Sequence, residues 1–492
     1  MQGQKDMRKS PVAMSGEEFR SAGHKLVDRI ADFLDSVAEM KVTAGESPAM
    51  VREALDAGRG LPERGADAGE LLERAAELMF DHSLFNAHPR FWGYVTAGAA
   101  PIGMLGELLA AAANPNCGAW LLSPMASEIE GQTIRWIAEM LNYPTDCGGL
   151  FVSGGNMANI VGFLAGRAAK GGAAIRSKGV EGRRLRAYCS SETHTWIQKA
   201  ADIAGLGTES VRWIGVDDGF RMEVEELRSR IKEDLAAGDE PFLVAGNAGT
   251  VSTGAVDDLK KIAEVCREFD VWFHVDGAYG AMAAVAPAAA ELFAGLAEAD
   301  SLAVDPHKWL YAPIEAGCTL VRDVTKLRDA FSYHPAYYHF GVEATNYFDL
   351  GPQNSRGFRA LKVWLALQQV GREGYAQMIA DDMRLSRAMY ESVAKHAELE
   401  AMTQGLSIAT FRYVPTGVDR NSEYLNELNQ ELLTRLQQGG EAYLSNAVIG
   451  GKYALRVCIV NFRTTLEDVE AVAEVVVRIG RTVDGEMRAG LT

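Results

Sequence analysis

The chain reads as an α/β protein with a mostly parallel sheet, on three observations. From Gly148 to about Asp323, short apolar runs alternate with helical segments. Leu150-Phe151-Val152 passes through Ser153-Gly154-Gly155-Asn156 into Met157, Ile160, Val161 and Leu164 at helical spacing, so a strand, a glycine turn and a helix follow in order. Leu259, Ile262, Ala263, Cys266 and Phe269 carry the 3.6-residue period of a crossover helix before the run Val271 to Val275. In such folds ligands sit at the carboxyl ends of the strands.

The other elements follow in chain order. Ser15 and Glu18 form a capping box, and Phe19, Leu26, Val27, Ile30, Phe33, Leu34 and Val37 continue at helical spacing. The apolar face of this helix is expected to lie on its own domain or on a partner subunit. Strands are expected at Leu185 to Cys189, Val211 to Val216, Phe242 to Ala245, Val271 to Val275, Leu302 to Val304 and Cys318 to Val321. After about residue 373 come a helix, short strands at Leu406 to Arg412 and Leu455 to Val460, and a final helix from Leu466 to Ile479. The chain thus divides into a helical N-terminal segment (1–99), a large domain (100–372) and a small α+β domain (373–492).

A net charge of −17 opposes binding to phosphate backbones and anionic membranes, so no nucleic-acid or membrane partner is expected. The six cysteines are scattered without a CxxC pair, which fits reduced thiols in a cytoplasm and no metal site. No stretch approaches the roughly 20 apolar residues that span a bilayer.

Two residues carry the chemistry. Lys308, in Asp305-Pro306-His307-Lys308-Trp309, follows one apolar run, and Asp276, in His274-Val275-Asp276-Gly277-Ala278, ends another. A lysine at a strand end can bond the aldehyde of pyridoxal phosphate, and an aspartate at another can keep the pyridine nitrogen protonated. The glycine turn at Gly155 and Asn156 aims helix N–H groups at a point where a phosphate can bind. His194 follows the strand ending at Cys189 and could stack on a planar ring; the competing account is a hydrogen-bonded structural histidine. Thr250 could offer its hydroxyl to the cofactor edge or bond its own turn.

These segments, with Asn86-Ala87-His88-Pro89-Arg90-Phe91, make the chain resemble the group II pyridoxal-phosphate decarboxylases over nearly its whole length. The resemblance implies fold type I, related to aspartate aminotransferase, and pyridoxal 5'-phosphate as cofactor. It implies that Lys308 bonds the cofactor, Asp276 holds the pyridine nitrogen, His194 and Ala278 lie on opposite ring faces, and Gly155, Asn156 and His307 surround the phosphate. It also implies Tyr337 as proton donor, with Tyr333 and Tyr338 as rivals, and a homodimer with shared active sites. Asp305 stands where aromatic-acid members often have asparagine, Asn156 where several have a hydroxyl residue, and Gly118 where some place a bulky aromatic.

Trp92, Tyr94 and Trp120 suit the walls of an aromatic pocket, and Ser355 aligns with a position that separates phenolic from indolic substrates in plant relatives. The expected reaction is decarboxylation of tyrosine, dihydroxyphenylalanine, phenylalanine or tryptophan. The alternatives are an aromatic aldehyde synthase and a decarboxylase of glutamate, aspartate or histidine.

Overall fold

The computed structural model describes residues 10–172, 174–333, 344–419 and 423–490. Its N-terminal layer is helical: α1 (Gly16–Ser36), α2 (Pro48–Leu55), α3 (Ala68–Asp81), α4 (Pro101–Ala113) and α5 (Pro124–Met140). Both capping-box bonds of α1 form, Glu18 N–H to Ser15 Oγ at 3.2 Å and Ser15 N–H to Glu18 Oε2 at 2.6 Å. The apolar face of α1 meets α3, where Phe33 stacks on Phe80 at 4.6 Å, but Phe19 and Val27 stay exposed. On α4, Leu105, Leu108 and Leu109 are exposed as well.

The large sheet contains β1 (Gly148–Val152), β2 (Leu185–Ser190), β3 (Val211–Ile214), β4 (Glu240–Asn247), β5 (Trp272–Asp276), β6 (Ser301–Val304) and β7 (Gly317–Val321), in the order β1-β7-β6-β5-β4-β2-β3. Six of these strands run parallel, and β7 alone is antiparallel to both its neighbours. The link from β6 to β7 holds only the short helix Pro306–Trp309, so the chain folds back instead of crossing over. The carboxyl ends of β1, β2, β4, β5 and β6 therefore share one edge. The helix α6 (Gly155–Gly171) starts three residues after β1 ends, at that same edge.

A second sheet, β10-β11-β9-β8, is antiparallel, with β8 (Leu399–Gly405), β9 (Ile408–Tyr413), β10 (Ser445–Ile449) and β11 (Lys452–Cys458). Strands β8 and β10 are additions to the sequence reading. The long helix Ala360–Lys395 breaks at Gly371, whose φ is 68°, and beyond the break its Leu385, Met389 and Val393 enter the core under this sheet. The final helix Leu466–Arg488 begins at a Thr465–Asp468 capping box.

One buried ion pair sits beside the main sheet. Arg356 pairs with Glu130 of α5, and the two groups take the carbonyl and N–H of Phe151 in β1. Removing either partner would leave an uncompensated buried charge. Among the described residues no helix is long and apolar enough to cross a membrane.

Candidate active site

A small cleft opens at the shared edge. Its lining includes Gly155, Asn156, His194, Thr250, Asp276, Ala278 and Lys308, from the five segments that follow β1, β2, β4, β5 and β6.

Lys308 stands on the turn after β6, where Nζ lies 3.4 Å from Asp305 Oδ2. Asp305 is 2% exposed, and the same oxygen accepts the Gly155 N–H at 2.9 Å. The carboxylate expected to repel a phosphate is thus paired, with a cation and with the first N–H of α6. Its other oxygen, Oδ1, lies 3.0 Å from His307 Nδ1. His307 lies at the same turn without lining the cleft directly: its Nδ1 accepts the Ala316 N–H at 3.1 Å and its ring lies beside Gly154.

The N-terminal turn of α6 needs glycine by close approach. A Cβ on Gly155 would come within 2.8 Å of both the Ala278 Cβ and Asp305 Oδ2. With Gly155 N–H engaged by Asp305, the next N–H groups of the turn, starting at Asn156, are those that precede the intrahelical ladder and face an anion.

Behind Asp276, on the same face of β5, His274 is fully buried. Its Nε2 is 2.7 Å from Asn159 Oδ1 and its Nδ1 is 2.8 Å from Ser301 Oγ, which also accepts the Trp272 indole N–H at 2.8 Å. An amide oxygen only accepts, so the proton lies on Nε2 and the Ser301 hydroxyl donates to Nδ1. Burial pushes the His274 imidazole down to about 4, so it is neutral near pH 7, although the Asp276 charge acts upward.

His194 accepts the Trp196 N–H on Nδ1 at 3.3 Å, which leaves Nε2 to carry the proton of the neutral ring. Burial lowers its pKa against the upward pull of Asp276. Thr250 has the turn geometry: its Oγ1 is 2.9 Å from Thr253 Oγ1 and accepts the Ala255 N–H at 3.1 Å. Next to it, Asn247 donates its amide to Ser190 Oγ, Thr193 Oγ1 and Asp257 Oδ2 at 3.0 to 3.1 Å, which ties the ends of β2 and β4 together. Asp257 is pushed up to about 6 by burial, offset by the N–H groups of Met222 and Asn247.

Sequence reasoning missed six lining residues, Asn159, Glu192, Asn247, Gly249, Val251 and Tyr279. Asn159 lies one helical turn beyond Gly155, and Asn247 and Tyr279 flank segments already singled out, so each was within reach of spacing alone. The Glu192 carboxyl is raised by burial, with a Ser252 hydrogen bond acting downward.

Four expected substrate contacts fall elsewhere. Trp92 is fully buried in the core of the second sheet, its indole N–H bonded to Thr464 Oγ1 at 3.0 Å, and cannot touch a ligand. Tyr94 is 55% exposed beside Tyr443, Trp120 donates to Glu128, and Ser355 is exposed, so none of the three lines the cleft of this chain. Gly118 adds no pocket width either, because a side chain there would strike the Asn354 carbonyl. Tyr337 and Tyr338 lie outside the described residues. Tyr333 is exposed under the Arg176 guanidinium, 4.2 Å from the ring centroid.

The residues present fit pyridoxal 5'-phosphate. Gly155 leaves the space a Cβ would fill, the α6 N-terminus offers free N–H groups for phosphate, and Lys308 and Asp276 face one cleft from adjacent turns.

Comparison with known proteins agrees with this geometry. Residues 48–414 match the model of the pyridoxal-dependent decarboxylase conserved domain. The chain is 34% identical to the aromatic-L-amino-acid decarboxylase of Bacillus atrophaeus, over 93% of this chain and 94% of that one. It is 31% identical to tyrosine decarboxylase 2 of Arabidopsis thaliana, over 91% of this chain and 84% of that one. Among solved structures, that of Oryza sativa TDC with PLP and tryptamine superposes with a TM-score of 0.89 at 27% identity, covering 96% of this chain and 99% of that one. With a lysine, an aspartate and a helix N-terminus converging on one cleft and the family model matched across most of its length, the chain belongs to the pyridoxal-dependent decarboxylase family.

Proposed function

We propose that the protein removes the α-carboxyl group of an aromatic L-amino acid (tyrosine, dihydroxyphenylalanine, phenylalanine or tryptophan) as carbon dioxide and releases the amine. The observation that carries this reading is the convergence of Lys308, Asp276 and the α6 N-terminus on one cleft. When bound, pyridoxal phosphate supplies an electron sink for the pair left by the departing carboxylate. Lys308 would hold the cofactor at its aldehyde carbon and supply the amine there. Asp276 would hold a proton at the pyridine nitrogen, and the neutral His194 and Ala278 would line the two sides of the ring site. Tyr337 donates a proton to the former α-carbon.

Glu192 supports the choice of an aromatic side chain, because a carboxylate in the cleft opposes the second carboxylate of glutamate or aspartate. The names of the two curated relatives point the same way. The retained Tyr337 favours amine over aldehyde as product, which separates this reading from an aldehyde synthase.

We also propose a cytoplasmic homodimer with shared active sites. Exposed Leu105, Leu108 and Leu109 of α4, with Leu121, Leu122 and Met125, offer an apolar surface suited to a second copy. The six cysteines are free thiols, as a reducing compartment permits.

The test is a panel of the twenty amino acids, with carbon dioxide release and product identification. Aromatic substrates giving amine are expected. Reaction with glutamate or aspartate alone, or aldehyde with ammonia and peroxide, would replace the reading.

A further inference from the structure

We infer that Asp382, on the long helix of the second core, is the positioning residue that sets Lys308 in the cleft. The inference rests on Lys308 as the residue that bonds the cofactor. One carboxylate oxygen, Asp382 Oδ2, accepts both the Trp309 indole N–H at 2.9 Å and the Tyr311 O–H at 2.7 Å. Tyr375, seven residues earlier and so on the same helix face, donates its hydroxyl to the Leu310 carbonyl at 3.2 Å and stacks on Tyr311. All three residues after Lys308 are thus gripped by one helix face, while Lys308 itself turns to the cleft.

The grip reaches Asp276 too. Trp309 stacks on Tyr279 with centroids 5.1 Å apart and planes at 10°, and the Tyr279 hydroxyl pairs with Ser407, in the turn between β8 and β9, at 2.7 Å. Trp309 follows Lys308 by one residue, and Tyr279 follows Asp276 by three. The stack therefore braces the lysine turn against the aspartate turn, and Asp382 and Ser407 hold its two rings from the second-sheet side.

Asp382 is 2% exposed, and among the described residues no cation pairs with it. Burial pushes its carboxyl up to about 7 against the pull of the Tyr311 and Trp309 bonds. A buried acid held by neutral donors alone is a poor stability device compared with an apolar side chain of similar volume. What it supplies is direction, two fixed donors on one oxygen.

The experiment is a double-mutant cycle on cofactor binding, with Asp382→Asn, Trp309→Phe and the double variant, reading the dissociation constant of pyridoxal 5'-phosphate, its visible absorbance band and the melting temperature. Asp382→Asn is expected to raise the dissociation constant about tenfold, as loss of a charge-assisted hydrogen bond does. In the Trp309→Phe background the same exchange should change it by a smaller factor, about threefold, because one of the two donors is already gone. A folded Asp382→Asn protein with lowered melting temperature but an unchanged dissociation constant and band would reduce Asp382 to scaffold and overturn the inference. So would an equal effect in both backgrounds. If Asp382→Asn does not fold, Trp309→Phe and Tyr311→Phe each remove one donor; weaker cofactor binding by both is expected, and unchanged binding by both overturns it. Lys308→Ala separates the two layers, since a visible band that persists in that variant refutes the lysine assignment whatever Asp382 does.

Discussion

Asp305 Oδ2 sits between two partners, 3.4 Å from Lys308 Nζ and 2.9 Å from the Gly155 nitrogen. It occupies the N–H that would otherwise be the first donor to a phosphate. Replacing Asp305 by asparagine keeps an acceptor for Gly155 and removes a negative charge from the phosphate end. Affinity for inorganic phosphate, measured by equilibrium dialysis on the apoenzyme, is expected to rise on the order of tenfold. A fall would show that the charge is needed to hold Lys308.

Gly155→Ala tests the close approach at the α6 N-terminus. The new methyl would press on Ala278 and Asp305, so the turn must open and the N–H groups lose their aim. Overpacking of this kind costs about 1–3 kcal/mol. Calorimetric titration with the cofactor should show binding weakened by a comparable amount, with secondary structure by circular dichroism unchanged.

His274 gives a pH dependence with a definite sign. Its pKa is about 4 folded against an ordinary 6.5, so the unfolded chain takes up the proton first as pH falls. The stability it contributes is whole above about pH 6.5 and drains away toward pH 4. Asp257 and Asp382, raised to about 6 and about 7, act in the opposite sense, since their burial costs stability as pH rises through the same window. The clean measurement is therefore the gap in urea stability between wild type and His274→Gln. That gap should narrow by about 2 kcal/mol between pH 7.5 and pH 5; a constant gap would contradict a neutral buried His274.

The α4 leucines report on assembly. Leu108 and Leu109 are 55% and 57% exposed in the single chain. Placing glutamate at both should put two charges into the contact with a second copy. Sedimentation velocity is expected to show a dimer for wild type and a monomer for the double variant, with cofactor-dependent activity lost alongside. A wild-type monomer that is active would remove the shared-site proposal.

Much of the site was legible because the chemistry lies on local signals. Lys308, Asp276, His194, Thr250 and the Gly155 turn each follow an apolar run, and in a parallel sheet every such run delivers its successor to the same edge. The capping boxes at Ser15 and Thr465 are likewise contained within four residues. Strand β10 and the half-buried β8 escaped because each needs a neighbour to complete its pairing.

The aromatic residues near the N-terminus show the limit of such reading. Trp92 is apolar and lies near a family segment, yet it belongs to the core of a sheet assembled from residues more than 300 positions later. Periodicity reports which side of an element is apolar, and says nothing of what that side meets. The His307 ring is set by the Ala316 N–H, a partner just before the return strand. The identity and order of the residues that line the cleft were therefore largely determined by the sequence itself, because strand ends and glycine turns are local. Which carboxylates surround Lys308, which helix grips its turn and which aromatics face the cleft were decided by packing between distant segments, where long-range contact overrides local pattern.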